Sequence, residues 1–580
     1  MTSTSAPPAS ASKGSTTSAP ADAEVAMTHR EILTVLSGLL LAMFVAMLSS
    51  TIVTNALPRI VVDLNGGEAG YTWVVVATLL TMTASTPIWG KLADLVDKKL
   101  LVQIALVTYA VGSIAAGFAP NMGSLIAARA LTGLGVGGMT ALVLVVIASI
   151  VSPRERGRYS GYIGAVFAAA TVSGPLIGGF IVDAPGLGWR WTFWVGVPVA
   201  LAALVVLQRT LHLPKPAPRP AGQKVRIDYA GALLIVGGVS VLLAWVSLAG
   251  HQFGWGSATS WTMIVVGVLL LVGAVVVERR AAEPIIPLHL FADRTTLLAT
   301  LASVMVGVAM FGSTVYLSQY FQIARGMTPT HAGLMSIAMV GGLLVSSITT
   351  GRIISNTGYW KRYLVSGMTL VVIGLALLST IDETTNLVVV GAFMAVLGLG
   401  LGATMQNLVL AVQNQTAQRD MGAASSLVTF FRSIGGSAGV AALGALLGHQ
   451  VADKVASGLA RIGVTAEAGG GGGLPDLAAL PAPVRAVFQQ AYGEASAHLF
   501  LVAVPFAVVA LLLVLAIREV PLRTTLDLEP AAGVVPESEE LLPTTASTAP
   551  ATPARDVTDP APQEDADARR DGTTVAGSVR

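Results

Sequence analysis

Gly164 to Asp183 read GAVFAAATVSGPLIGGFIVD, and the reading of this stretch decides the fold. It is long enough to cross a bilayer as a helix, and its one charge is the terminal Asp183. Gly174-Pro175 is followed by Gly178-Gly179. A proline inside a helix removes a backbone bond and clashes with the preceding turn, which predicts a bend near Pro175. The glycines lack side-chain bulk, so a neighbouring helix can approach at backbone distance. The plain alternative is a packing seam of small residues.

The surrounding composition has the same character. Of 580 residues, 53% are hydrophobic and 11% charged, with mean hydropathy +0.72. Soluble domains carry about 25% charged residues, so this composition predicts a polytopic, all-α membrane protein. The net charge of +2 says little about partners, because in a membrane protein the placement of charge matters more than its sum, and no nucleic-acid partner is expected. The absence of cysteine excludes disulfides, thiolate metal sites and cysteine nucleophiles. The seven histidines are scattered, so no metal site is expected. Residues 1–30 and 519–580 are rich in Ser, Thr, Ala and Pro, with acids in the second stretch, and read as disordered tails.

Fourteen apolar segments approach the ~20 residues of a membrane span. They are read at 32–55, 71–89, 100–119, 123–149, 159–181, 191–211, 229–249, 260–277, 296–322, 330–350, 363–380, 386–412, 423–448 and 496–517. Lys98, Lys99, Arg154, Arg156, Arg158, Lys361 and Arg362 fall in alternate loops, and the intervening loops are poor in Lys and Arg. The positive-inside rule then puts both termini in the cytoplasm. GKLADLVDKK after segment two and GRIISNTGYWKR after segment ten end their helices alike, which predicts two repeated six-helix bundles. The bundles are expected at 31–212 and 293–518, with two linker helices at 226–280 and a long external loop at 449–495.

Gly164, Gly174, Pro175, Gly178 and Gly179 together resemble motif C of the major facilitator superfamily, associated there with exporting antiporters. Gly90, Lys91 and Asp94 with Lys98 and Lys99 resemble motif A, a loop that in the family latches the cytoplasmic ends together. Physically, Asp94 can face the positive N-terminal end of a nearby helix. Arg129 and the glycines from Gly133 to Gly138 resemble motif B, whose arginine is linked to proton movement. An arginine at membrane depth faces protein or water; the alternative is a side chain that snorkels to the interface. The end of segment one, Leu48 to Pro58, is similar to the first helix of the fourteen-helix drug:proton antiporter group, with Ser49 where that group usually has aspartate. Serine carries no proton at physiological pH, so Asp183 is the proton-site hypothesis, and Asp228 reads as an interfacial charge.

Polar stripes in the second half outline a cavity wall. Tyr316, Gln319 and Tyr320 share a helical face, as do Gln406, Asn407, Gln413 and Asn414. They either line a substrate cavity or bond neighbouring helices. Asn55, Phe431 and Arg432 are added from segments one and thirteen, Arg432 as a structural group or a counter-charge for an anion. Trp189, Trp191, Trp255 and Trp261 read as interfacial anchors. The resemblance implies a monomeric exporter in the cytoplasmic membrane. It would use no cofactor other than a proton gradient and expel amphipathic small molecules such as antibiotics or toxic metabolites. The alternatives are a transporter with other coupling or cargo, and a membrane sensor or enzyme.

Overall fold

Backbone polar groups in lipid find partners only within helices or closed barrels, and this chain takes the helical solution. The structure is a computed structural model that describes residues 29–53, 56–64, 67–184, 186–211, 228–250, 252–464 and 480–524. Asn55, most of the two tails and the glycine run 469–473 lie outside the described residues. Among the described residues, fourteen helices are long and apolar enough to cross a membrane. They are α1 (Arg30–Ile52), α2 (Trp73–Leu95), α3 (Lys98–Gly117), α4 (Met122–Ile150), α5 (Pro153–Gly178), α6 (Trp191–Thr210) and α7 (Tyr229–Leu248). The remainder are α8 (Ala258–Glu278), α9 (Arg294–Ala324), α10 (His331–Thr357), α11 (Lys361–Leu378), α12 (Leu387–Gln415), α13 (Gln418–Arg461) and α14 (Ala482–Ala516).

Two bundles with the same internal neighbours make up the fold. In the first, α1 packs on α4, α5 and α6, α2 on α4, and α3 on α4 and α6. In the second, α9 packs on α12, α13 and α14, α10 on α12, and α11 on α12 and α14. Adding eight to each number of the first set generates the second. The bundles meet along α2 with α13 and α5 with α10, two interfaces that the same rule exchanges. This is the geometry of a duplicated transporter fold. Helices α7 and α8 pair with each other, and α7 leans on α2 and α13. On α8, Val265, Leu269 and Val272 are exposed, a face that only lipid satisfies.

The helix of α5 continues to Asp183, so Pro175 does not break it. Its glycines approach two different partners. A methyl added to Gly178 would lie 2.6 Å from Ile52 O on α1, and one on Gly174 would meet Thr51. Nearer the start of the helix, a methyl on Gly161 would lie 2.6 Å from Ile348 of α10. Helix α5 therefore joins its own bundle to the opposite one.

The expected external loop 449–495 is corrected. Helix α13 runs to Arg461 and α14 begins at Ala482. The extensions are amphipathic, and they hold each other through Lys454 with Glu494, Gln450 with His498, and Val487 against Gly458. Polar pairing of this kind extends a helix pair past the apolar run that marks the span.

Candidate functional site

Between the bundles lie two adjoining chambers. The lower, of about 220 Å³, is walled by α1, α2, α4 and α5 on one side and α9, α10, α12 and α13 on the other. The upper, of about 720 Å³, reaches Gly250, Gly254 and Trp255 in the α7–α8 loop and Gly448 on α13. Leu79, Met82, Phe311 and Ser433 line both chambers and separate them. Met43, Met47, Phe167, Met310 and Met405 give the lower chamber a soft, polarisable wall. Among the described residues its one ionised side chain is Arg432, eleven residues from Met421 and so about 17 Å along the helix.

Below the chambers, at the end bearing the basic loops, the bundles close on each other twice. At the α2–α13 contact, a methyl on Gly90 would lie 2.6 Å from Gly422 O. That approach delivers Asp94 to the start of α13, where its carboxylate accepts from Gly422 N at 2.7 Å and Ala423 N at 2.9 Å. A carboxylate on unpaired amides at a helix N-terminus is favourable by charge and by hydrogen bonding. At the α5–α10 contact, a methyl on Gly157 would lie 2.5 Å from Gly351 O. There Arg154 donates from Nε to Ser355 O at 3.1 Å and from Nη2 to Asn356 O at 2.8 Å, a cation on the carbonyls ending α10. One contact uses an anion on a helix start and the other a cation on a helix end.

Further polar groups complete this seal. Arg156 donates to Gln413 Oε1 at 3.1 Å, and Gln413 donates to Ser425 Oγ at 2.8 Å. Asn414 donates to Pro521 O at 3.1 Å and accepts from Arg523 N at 3.0 Å. Lys91 pairs with Glu283 at 3.4 Å, and Lys99 reaches Gln208 O at 2.8 Å within the first bundle. Toward the other end, α5 packs on the short helix Pro329–Met335 that leads into α10.

Several expected cavity residues are relocated. Gln413 and Asn414 share a face with Gln406 and Asn407, but seven residues carry them about 10 Å further along α12, into the seal. Asn407 is 2% exposed and donates to its own Ala403 O at 2.6 Å, lining neither chamber. Tyr320 is fully buried, donates to Asp382 O at 2.6 Å, and ties α9 to the α11–α12 loop. Gln319 also lines neither chamber. Phe431 packs edge-on against Phe291 and Phe430, away from both chambers. Tyr316 lines the upper chamber and bonds Val440 O, while Gln406 and Arg432 line the lower. Trp255, read as an anchor, also lines the upper chamber. Sequence reasoning missed it because a loop tryptophan carries no sign of which side it faces.

Arg129 is 3% exposed and does not snorkel. Its Nε donates to Val74 O at 3.5 Å, its guanidinium lies 5.8 Å from the Phe193 ring, and Nη1 has no hydrogen-bond partner. No carboxylate among the described residues pairs with it. Ser49 is buried, and Asp183 is the last helical residue of α5. Asp228 caps α7 by accepting from Gly231 N at 2.7 Å.

Comparison with known proteins agrees with this architecture. A family profile described as Major Facilitator Superfamily matches residues 39–440. An uncharacterized MFS-type transporter of Mycobacterium tuberculosis is 36% identical over 496 residues, covering 85% of this chain and 70% of its own. The multidrug transporter protein MdtP of Bacillus subtilis is 36% identical over 428 residues, covering 72% and 77%. The efflux pump dotC of Dothistroma septosporum is 34% identical over 495 residues, covering 84% of each chain. Among solved structures, the human organic anion transporter MFSD10 gives TM-score 0.54 at 14% identity, covering 82% of this chain and 99% of its own. The proton:xylose symporter XylE also gives 0.54, at 12% identity, covering 82% and 95%. At those identities the two structures speak for the fold alone.

Proposed function

We propose that this chain, which belongs to the major facilitator superfamily, exports amphipathic small molecules by alternating access in exchange for protons. The observation that carries the reading is a pair of adjoining chambers between the bundles, closed off from the basic loops by the Asp94 and Arg154 contacts. The positive-inside rule supports reading the sealed end as cytoplasmic and the described state as outward-facing. Release of the two contacts and closure over the upper chamber would then present Gln406 and Arg432 to the cytosol or inner leaflet. Relatives named as multidrug and efflux pumps support the direction of transport. The plasma membrane is the proposed location, with both termini inside and the monomer as the working unit.

A second reading has an observation of its own: no carboxylate lines either chamber among the described residues. Transport with different coupling accounts for that directly, whereas proton exchange relies on Asp183 and on Arg129, whose Nη1 has no hydrogen-bond partner among the described residues. Reconstituted vesicles loaded with a fluorescent amphipath, with and without an imposed pH gradient, separate the two. Proton exchange requires acceleration by the gradient, and Asp183→Asn should remove that acceleration. A rate indifferent to the gradient would leave the second reading standing.

A further inference from the structure

The lower chamber holds a guanidinium at membrane depth with very little to do. Arg432 is 9% exposed, and its single hydrogen bond among the described residues is a long one, Nη1 to Met405 O at 3.4 Å. No acidic side chain among the described residues lines either chamber or forms an ion pair with it. A guanidinium offers five N–H donors, so most of its capacity is uncommitted. A buried cation left in that condition is costly in the apolar part of a membrane protein.

The other polar groups of the chamber sharpen the point. Thr86 donates to Met82 O, Thr140 to Val136 O, Thr171 to Phe167 O, Thr314 to Met310 O and Ser433 to Thr429 O. These hydroxyls spend their protons on their own helices. What remains to donate to a guest is Arg432, with the Gln406 amide on the facing α12. A wall that keeps its uncommitted donors at Arg432 and Gln406 and, among the described residues, offers no carboxylate is matched to an anionic, acceptor-rich group. It is poorly matched to a cation, which would meet Arg432 without a compensating charge.

Chamber size adds a polarity to the guest. About 220 Å³ beside Arg432 accommodates an acidic head and a small apolar portion, and about 720 Å³ above it takes the larger apolar body. The upper wall is mainly apolar and aromatic, with Leu243, Val246, Trp255, Phe311 and Tyr316, and carries uncharged polar groups at Thr83, Ser247 and Ser437 and the His449 ring.

From this placement we infer that the cargo is an amphipathic organic acid, its carboxylate or sulfonate seated on Arg432 and its apolar body in the upper chamber. The inference rests on the export reading and narrows it to a charge class. With the head group neutralised by Arg432, the chamber needs no other ion to hold its guest.

The test uses the purified full chain and three probes sharing one ring system: 1-pyrenebutyrate, its primary amide, and 4-(1-pyrenyl)butylamine. Binding is read by pyrene fluorescence. The wild type is expected to bind the acid at least tenfold more tightly than the amide, a gap of about 1.4 kcal/mol, and the amine most weakly. Arg432→Gln is expected to bring the acid to the amide's affinity while leaving the amide within about twofold, and Arg432→Lys to keep part of the gap. Amide binding by each variant reports that the chamber is intact; should the Gln variant bind nothing, the Lys variant and the wild-type series decide. Equal wild-type binding of acid and amide, preference for the amine, or a gap unchanged in Arg432→Gln would overturn the inference. Vesicle efflux of the same probes keeps the two readings apart. Expulsion of amide and amine as fast as the acid sinks the charge preference and spares export, whereas selective binding without flux sinks export alone.

Discussion

Asp94 reaches across from the first bundle and takes two backbone amides of the second, at 2.7 and 2.9 Å. Hydrogen bonds to a charged acceptor contribute about 1.5–3 kcal/mol each, and a helix start adds to them. Asp94→Asn keeps one acceptor oxygen and removes the charge, and should weaken the seal by about 1–3 kcal/mol. The expected outcome is a shift of at least severalfold toward the inward-open state, read as faster maleimide labelling of a single cysteine placed in the seal. The motif-A spacing made Asp94 legible in the sequence, because the chemistry it needs is a turn and a charge within a few residues. Gln413, Asn414 and Tyr320 were misplaced for the opposite reason. Helical periodicity fixes a residue's face, while depth along the axis decides whether that face meets a chamber, a seal or a loop.

At the scale of the element, α5 carries the argument. Gly174 and Gly178 sit against Thr51 and Ile52 of α1, while Gly157 and Gly161 sit against Gly351 and Ile348 of α10. The first contact lies within a bundle and the second between bundles, so bulk added to each should have different consequences. Gly178→Leu drives a side chain toward the Ile52 carbonyl and is expected to cost about 1–3 kcal/mol in overpacking, seen as a lower thermal midpoint of the purified protein. Gly161→Leu meets a side chain across a separable interface. It is expected to leave the midpoint nearly unchanged while slowing vesicle transport, since the outward-facing state can no longer close fully. Equal loss of midpoint in both variants would show that α5 belongs to one rigid body spanning the bundles. The glycine pattern announced close approach from the sequence, but two sets of glycines on one helix look alike until their partners are seen.

For the molecule as a whole, the correspondence of the two bundles makes the α2–α13 and α5–α10 contacts equivalent in position and opposite in charge. The chain contains no cysteine, so an introduced pair reports cleanly. Arg154→Cys with Asn356→Cys, bridged by a short bifunctional maleimide, should hold the basic end shut. Transport is expected to stop, with binding from the outward-facing side retained; continued transport in the bridged protein would exclude rocking of the bundles about this seam. By itself the sequence determined fourteen spanning helices, their duplication and the side that bears the basic loops. Each of these follows from runs of residue types and their spacing, which are local quantities. The tertiary structure alone decided that Arg432 faces a chamber that no carboxylate lines among the described residues, that Gln413 joins Arg156 in the seal, and that α13 and α14 prolong each other beyond the membrane run. Those outcomes depend on which distant side chains meet across a packed interface, and no local pattern encodes them.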